Sequence, residues 1–342
     1  MILPYRTRRF FRGLAIFFLI LVLLAVAVWL VWLLWLDRYV VYTGDGAHLD
    51  FSRSDKTISG VPALPPEEDF TVSIYYHEGD NILNTSTELA QVSGYYISTK
   101  MLEQEMDIVM EQLRKLPANT PVLVEVKDIV GRFYFSTSLG PVYSGVDTGK
   151  VEDLFTYLKL SDLYPIALFP ALRDYYYGLD HVSQGIFVKS GKGLWMDEDR
   201  CYWLDPTGEG TRNYILNTIA ELKTKGFAEV VLGDFSIPDN DKVKFSGSRK
   251  QALSEAAVSI AAAAATDRFC VSFCVSSTAF TLPEGRTRLY MKDAAASSLK
   301  TIAEETGLED PQVRLVFITD ANDTRFDDYG VLRPLNVAHL DD

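Results

Sequence analysis

Three cysteines and four histidines in 342 residues leave little room for two kinds of chemistry. A small, odd number of thiols cannot make a disulfide framework. Cys270 and Cys274, four residues apart in a strand-like segment, stand too far apart along an extended chain to bridge each other. Cys201 can pair with one of them only if the fold brings the two together; the expectation is three unpaired small hydrophobes. His48, His77, His181 and His339 are scattered without metal-ligand spacing, so no metal site is expected. No cofactor is expected either, because no G-x-G-x-x-G follows a first strand and there is no Walker-type loop. A G-x-S-x-G nucleophile elbow is also missing. Positive charge is scarce outside the N-terminus. Setting aside the four arginines of the first twelve residues leaves 29 of the 33 basic residues against 46 acidic ones, a formal net charge of −17. Such a surface repels phosphate backbones, and no nucleic-acid partner is expected.

One thing is present in excess. From Gly13 to Leu36 the chain has twenty-four residues without a charge, preceded by Arg6, Arg8, Arg9 and Arg12. At about 1.5 Å per residue such a run can cross a hydrocarbon core of ~30 Å as one helix. The arginines put the N-terminus on the cytoplasmic side. Trp29, Trp32 and Trp35 fall in the outer half, where indole rings sit at the headgroup level. A cleaved secretory signal ending at Ala25-Val26-Ala27 is the competing reading, disfavoured because the apolar run continues past Ala27. The expectation is a single-pass plasma-membrane protein with the lipid bilayer as one partner and its C-terminal domain extracytoplasmic.

The predicted organisation is a cytoplasmic basic tail (1–12), a transmembrane signal anchor (13–36), a juxtamembrane linker with a β collar (37–92) and a large domain (93–338). The linker carries turn residues around Thr43-Gly44-Asp45-Gly46, a β-like stretch at His48–Phe51, and Pro62, Pro65 and Pro66, with a further strand at Phe70–Tyr76. Beyond Ser93 strands and helices alternate. Strands are expected at Gly94–Ser98, Val122–Lys127, Tyr164–Phe169, Gly185–Lys189, Glu229–Phe235, Phe269–Val275, Arg288–Met291 and Val313–Thr319. Helices are expected at Lys100–Leu116, Lys150–Leu160, Arg212–Lys225, Arg249–Thr266 and Ala294–Thr306. This pattern gives the α/β class and a (β/α)8 TIM-like barrel, with a doubly wound sheet as the alternative.

Strand parity then orients the side chains. Val122, Val124 and Val126 form a uniformly apolar face that suits the helical layer, so Leu123, Glu125 and Lys127 point inward. In the same way Cys270, Ser272 and Cys274 point inward, opposite Phe269, Val271, Phe273 and Val275. A barrel presents its reactive groups at the carboxyl ends of its strands. Ser98, Thr99, Lys127, Asp128, Arg173, Asp174, Lys189, Asp234 and Asp320 fall there. Several carboxylates with a neighbouring lysine suit glycoside hydrolysis, in which one carboxyl donates a proton and another attacks or activates water. Asp128, Asp234, Glu125 and Lys127 are the candidate catalytic set; a plain buried ion pair explains Glu125 and Lys127 as well. Tyr175, Tyr176, Tyr177, Trp195, Tyr202 and Trp203 cluster mid-chain and can stack on sugar C–H faces or simply cover a loop-rich core. Asp174, Tyr176, Trp195, Trp203 and Asp205 are the candidate carbohydrate contacts, Asp205 also fitting an ordinary helix cap.

Between Gly94 and Pro334 the chain resembles a bacterial family of glycosyl hydrolase-type domains of unknown function with a TIM-barrel fold. The landmarks are Val122-Leu-Val-Glu-Val-Lys-Asp128 followed by Gly131, then Tyr164-Pro-Ile-Ala167, Trp203-Leu-Asp-Pro206, and Gly226-Phe-Ala-Glu-Val230 running to Asp234-Phe-Ser-Ile-Pro238. The resemblance implies a carbohydrate substrate and carries over Lys127, Asp128, Asp205 and Asp234 as site residues. This chain departs from the family pattern at Glu125, where the family has Asp, and at Leu168 and Ser236, where it has Arg. With Pro238 kept in register, the family's Asp falls on Gly233. The expected activity is glycoside hydrolysis of a cell-envelope or extracellular glycan. The alternatives are a degenerate barrel that binds glycan or scaffolds envelope assembly, and a protein-interaction module.

Overall fold

In the computed structural model the described residues are 89–335 apart from Lys192 and Ala279, the segments 40–43 and 46–49, and six residues between Val22 and Trp29. Contacts divide the chain into two units, Met1–Tyr75 and Tyr76–Asp342. In the first, β1 (Val40–Thr43) pairs antiparallel with β2 (Gly46–Leu49), Thr43 opposite Gly46. The expected β-like stretch at His48–Phe51 thus begins two residues earlier, as the second arm of a hairpin. Most of the expected membrane span, the prolines of the linker and the strand at Phe70–Tyr76 lie outside the described residues. No helix among the described residues is long and apolar enough to cross a membrane.

The second unit is a closed barrel of eight parallel strands. In chain order the elements are β3 (Ser93–Ile97), α1 (Thr99–Gln104), α2 (Met106–Leu113), β4 (Pro121–Glu125), α3 (Thr148–Leu160), β5 (Tyr164–Pro170), α4 (Tyr175–Asp180), β6 (Phe187–Val188), α5 (Glu209–Lys225), β7 (Glu229–Gly233), β8 (Val243–Lys244), α6 (Arg249–Ala264), β9 (Cys270–Cys274), β10 (Leu289–Lys292), α7 (Leu299–Thr306), α8 (Pro311–Arg314), β11 (Leu315–Ile318) and β12 (Gly330–Pro334). Around the barrel the order is β10-β11-β12-β3-β4-β5-β7-β9. The last strand closes on the first, Leu332 opposite Gly94.

Eight strands were expected, but one of them was misplaced. Gly185–Lys189 is not a barrel strand: Phe187 and Val188 pair antiparallel with Lys244 and Val243 outside the barrel, and Gly185 bridges Leu204. Ile186 is buried there in a satellite cluster with Ile237, Val243 and Ala252. Lys189 therefore does not belong to the barrel mouth. The eighth strand is Gly330–Pro334 instead. The single helix expected at Lys100–Leu116 is two helices, parted at Glu105, whose backbone leaves the helical region (φ −129°, ψ 17°).

Within the strands side chains alternate as expected; Lys127, two residues past the end of β4, departs, its ammonium lying over Phe133, Phe169 and Tyr214 of the outer core. Val122, Val124, Val126, Val271 and Phe273 belong to the large core between strands and helices, while Leu123, Ile166, Leu168, Val231, Cys274 and Tyr290 fill the barrel interior. Helix ends follow capping chemistry: the Asp147 carboxylate accepts from the backbone N–H of Gly149 and Lys150, Ser248 accepts from Gln251, and α5 stops at Gly226 in the left-handed region (φ 105°). All three cysteines are buried and unpaired.

The amino-terminal end of the barrel is closed by polar groups. Glu229, fully buried at the start of β7, accepts hydrogen bonds from Ser272 Oγ (2.6 Å), Tyr290 OH (2.9 Å), Tyr164 OH (3.0 Å) and the Arg288 guanidinium. Arg288 also donates to the Ala90 carbonyl at 2.9 Å. Burial and the Glu229 charge push the Tyr164 and Tyr290 hydroxyls well above the usual range, keeping both as donors.

Candidate active site at the carboxyl end of the barrel

At the opposite end the strands open on a cavity of about 510 Å³, a size ordinary for small-ligand sites. Its walls come from the ends of β4, β5, β7, β9 and β10. The charged lining residues are Glu125, Lys127, Asp128, Asp234, Lys292 and Asp293, with Trp203 on one side.

Glu125 ends β4 and points inward as its parity requires. Its Oε1 pairs with Lys292 Nζ at 2.7 Å, and its Oε2 accepts from the backbone N–H of Thr99 at 3.2 Å. Three strands separate β4 from β10 either way round the barrel, so this pair spans the interior. The Glu125 charge holds the Lys292 ammonium above its ordinary pKa despite burial, which acts the other way. Sequence reasoning missed Lys292. It ended that strand at Met291, although extending the inward parity of Tyr290 by two residues reaches it.

Asp234 is the first residue past β7 and adopts a left-handed backbone (φ 46°), a conformation that Asp tolerates better than most residues. Its carboxyl lines the cavity, and among the described residues nothing donates a hydrogen bond to it. Burial raises its pKa; Arg173, Lys292 and Lys127 pull it down, and Asp197 pushes it up. The net direction is upward, toward a carboxyl that keeps its proton.

Asp128 also lines the cavity but is already engaged. It accepts from the Arg132 backbone N–H (2.9 Å) and from Arg132 Nε (2.7 Å), and the guanidinium lies over the Tyr143 ring. Lys127 and Asp174 form a buried pair at 2.7 Å, with side chains 0% and 1% exposed. Lys127 Nζ also donates to the Pro170 carbonyl, and Asp174 accepts from Tyr214 OH and the Tyr177 backbone N–H. Gly131 (φ 99°) lies against this carboxylate, and a Cβ there would stand 2.0 Å from Asp174 Oδ1. Asp174 is therefore sealed behind the cavity, joining the end of β4 to the first turn of α4.

The aromatic residues separate. Trp203 reaches the cavity wall, its Nε1–H donating to Asp197 Oδ2 (2.8 Å), which Arg173 also holds at 2.6 Å. Trp195 packs against the Ile186 cluster. Tyr176 stands edge-on to Tyr175, which stacks on Tyr202. Asp205 accepts from the Thr207 backbone N–H and hydroxyl, an Asx turn ahead of α5. Neither Tyr176, Trp195 nor Asp205 lines the cavity. Among the described residues no group of three or more His, Cys, Asp or Glu side chains is placed to hold a metal ion.

These features define a TIM barrel whose mouth gathers several carboxyl groups beside Trp203. Residues 94–282 match the model of a family described as "Putative glycosyl hydrolase domain", and the chain belongs to that family. Among solved structures it is similar to a hypothetical protein from Ruminiclostridium thermocellum ATCC 27405, at 16% identity over 53% of this chain and 96% of that one (TM-score 0.46). It is also similar to an α-galactosidase from Lactobacillus brevis, at 13% identity over 74% of this chain and 38% of that one (TM-score 0.49). A third similarity is to a family 36 α-galactosidase from Geobacillus stearothermophilus, at 13% identity over 74% and 40% of the two chains (TM-score 0.48). The chain thus spans about two fifths of the length of these α-galactosidases. No curated protein matches it.

Proposed function

We propose that the chain is a glycoside hydrolase acting on a cell-envelope or extracellular glycan. The observation that carries this reading is the contrast within one cavity between Asp234, desolvated and without a hydrogen-bond donor, and Glu125, paired with Lys292. A carboxyl that keeps its proton is a general acid for the leaving oxygen. A charged carboxylate held by an ammonium attacks the anomeric carbon or draws a proton from water. Trp203, fixed through Asp197, offers its ring to a sugar face. Asp128 orders the rim through Arg132, and the buried Lys127–Asp174 pair holds the end of β4 in place. The uncharged run at 13–36 behind four arginines supports tethering to the plasma membrane, with the barrel outside.

The test is turnover of peptidoglycan and common polysaccharides by the full chain, compared with Asp234→Asn and Glu125→Gln variants of verified folding. Each substitution is expected to lower kcat by about 10²–10⁴-fold while glycan binding persists. Undiminished turnover in both variants overturns the assignment. Leu168 lines the cavity with an apolar side chain where the family has arginine. This favours a second reading, a barrel that binds glycan without cleaving it, which binding without turnover in all three proteins would establish. Protease added to intact spheroplasts should digest the barrel; full protection contradicts the topology.

A further inference from the structure

Beside the carboxylate-lined cavity lies another of about 400 Å³. The two share Phe235, Ser236, Val275 and Ser276 as walls, so they are adjoining lobes bounded by the segments that leave β7 and β9. Their chemistry is opposite. In the first, carboxylates outnumber ammonium groups, and both lysines are already paired, Lys127 with Asp174 and Lys292 with Glu125. The floor of the second is apolar, made by Ile237, Pro238, Leu253 and Phe280, and its edge carries Arg249 and Lys250 against a single carboxylate, Asp239.

These cations retain binding capacity. Arg249 meets Asp239 through Nη1 at 3.2 Å, but the Asp239 side chain is 93% exposed and the contact lies in water. Arg249 Nε is buried and has no hydrogen-bond partner among the described residues. Lys250 is exposed and makes no ion pair among the described residues. The Arg249 side chain, 36% exposed, and the exposed Lys250 next to it put two positive charges on the edge of the lobe, where they suit a carboxylate. An apolar floor containing Phe280 matches the C–H face of a sugar ring.

We propose that the second lobe is a subsite for a sugar unit bearing a carboxylate, next in the chain to the unit held in the catalytic cavity. Arg249 and Lys250 receive the carboxylate, and the apolar floor receives the ring or its substituent. The inference rests on the glycan reading of the first cavity and adds the substrate class: a polymer that alternates a neutral or amino-bearing unit with an acidic one. A sugar carboxylate occurs in two forms, a uronic acid or a lactyl ether on a hexosamine, and the recognition chemistry is the same for both.

The experiment measures equilibrium binding by the full chain of two tetrasaccharide series, one with lactyl ether carboxylates and one with hexuronates, each beside its carboxyl-reduced counterpart. The comparison protein is the Arg249→Gln/Lys250→Gln double variant, whose folding is checked by circular dichroism. At least one acidic series is expected to bind about tenfold more tightly than its reduced form. That margin should shrink with added salt and vanish in the double variant. The series that shows the margin identifies the form of carboxylate. Equal binding of acidic and reduced ligands, binding of neither, or a margin that survives in the double variant overturns the proposal. The two readings fail separately. An acid preference without turnover removes the hydrolase and keeps the subsite, whereas turnover with no acid preference removes the subsite alone.

Discussion

At the amino-terminal end of the barrel Glu229 meets four donors, whereas at the carboxyl end Asp234 meets none among the described residues. Both are acids on β7 or one residue past it, five positions apart in sequence. The strand carries one into a closed network that fixes the packing of four strands, and the other into a cavity where no described donor bonds its carboxyl and burial outweighs the attraction of Arg173, Lys292 and Lys127. Barrels of this kind place active sites at the carboxyl ends of the strands, while the amino-terminal face serves stability. Here the difference can be read from donor counts.

The comparison breaks most visibly at its satisfied end. Glu229→Ala leaves Arg288 buried without a counter-charge and is expected to cost about 3–5 kcal/mol of folding stability, measured by denaturant unfolding. A loss of under about 1 kcal/mol would show that the network does not hold the barrel closed. Next in size is Lys127→Met, which strands Asp174 but leaves it the Tyr214 and Tyr177 donors. A loss of about 2–3 kcal/mol is expected, seen as a lower urea midpoint with an unchanged slope. Wild-type stability in that variant would return Lys127 to the list of chemically active groups.

Asp234 should behave in the opposite way. Burial raises its pKa above the unfolded value of 3.8, so the folded chain holds this proton more tightly than the unfolded chain. That contribution to stability is complete below 3.8 and is lost as pH rises through the folded value. Asparagine does not ionise and tolerates the left-handed backbone. Asp234→Asn is therefore expected to melt above wild type near neutral pH, with the gap closing toward about pH 3.5. A variant less stable than wild type at neutral pH would mean that the carboxylate is supported after all. The smallest effect concerns the thiols. Burial pushes the Cys274 thiol up to about 12 and that of Cys201 up to about 11, so alkylation of the folded chain near pH 8 should be slow at both and rise on unfolding. Rapid labelling of Cys274 would contradict the inward register of β9.

Much of this was legible from the sequence because strand parity is a local property. Alternation in residues 122–126 and in Phe269–Val275 was enough to separate the helix-facing side chains from the inward ones and to aim Glu125 at the mouth. The eighth strand was not legible. Gly330-Val-Leu-Arg-Pro334 has little apolar alternation, and it is a strand because Val331 and Leu332 pair between β11 and β3, a contact that only barrel closure makes. Gly185–Lys189 has local strand character, but tertiary pairing draws it to Val243 and Lys244. The candidate site divides in the same way. Asp234 and Glu125 follow from position on a strand. The partnership of Lys292 with Glu125, 167 residues away, and that of Lys127 with Asp174 depend on side chains meeting across the fold. For that reason Asp174 resembled a carbohydrate contact in sequence, yet its carboxylate is sealed in an ion pair.

The measurement closest to the central claim needs no substrate: a carboxyl ¹³C NMR titration of the aspartates in the full chain, with the Asp234 resonance assigned by its disappearance in Asp234→Asn. The account predicts that this resonance titrates above the ordinary aspartate value of ~3.9. Titration at or below that value would contradict it, leaving the cavity without its proton donor.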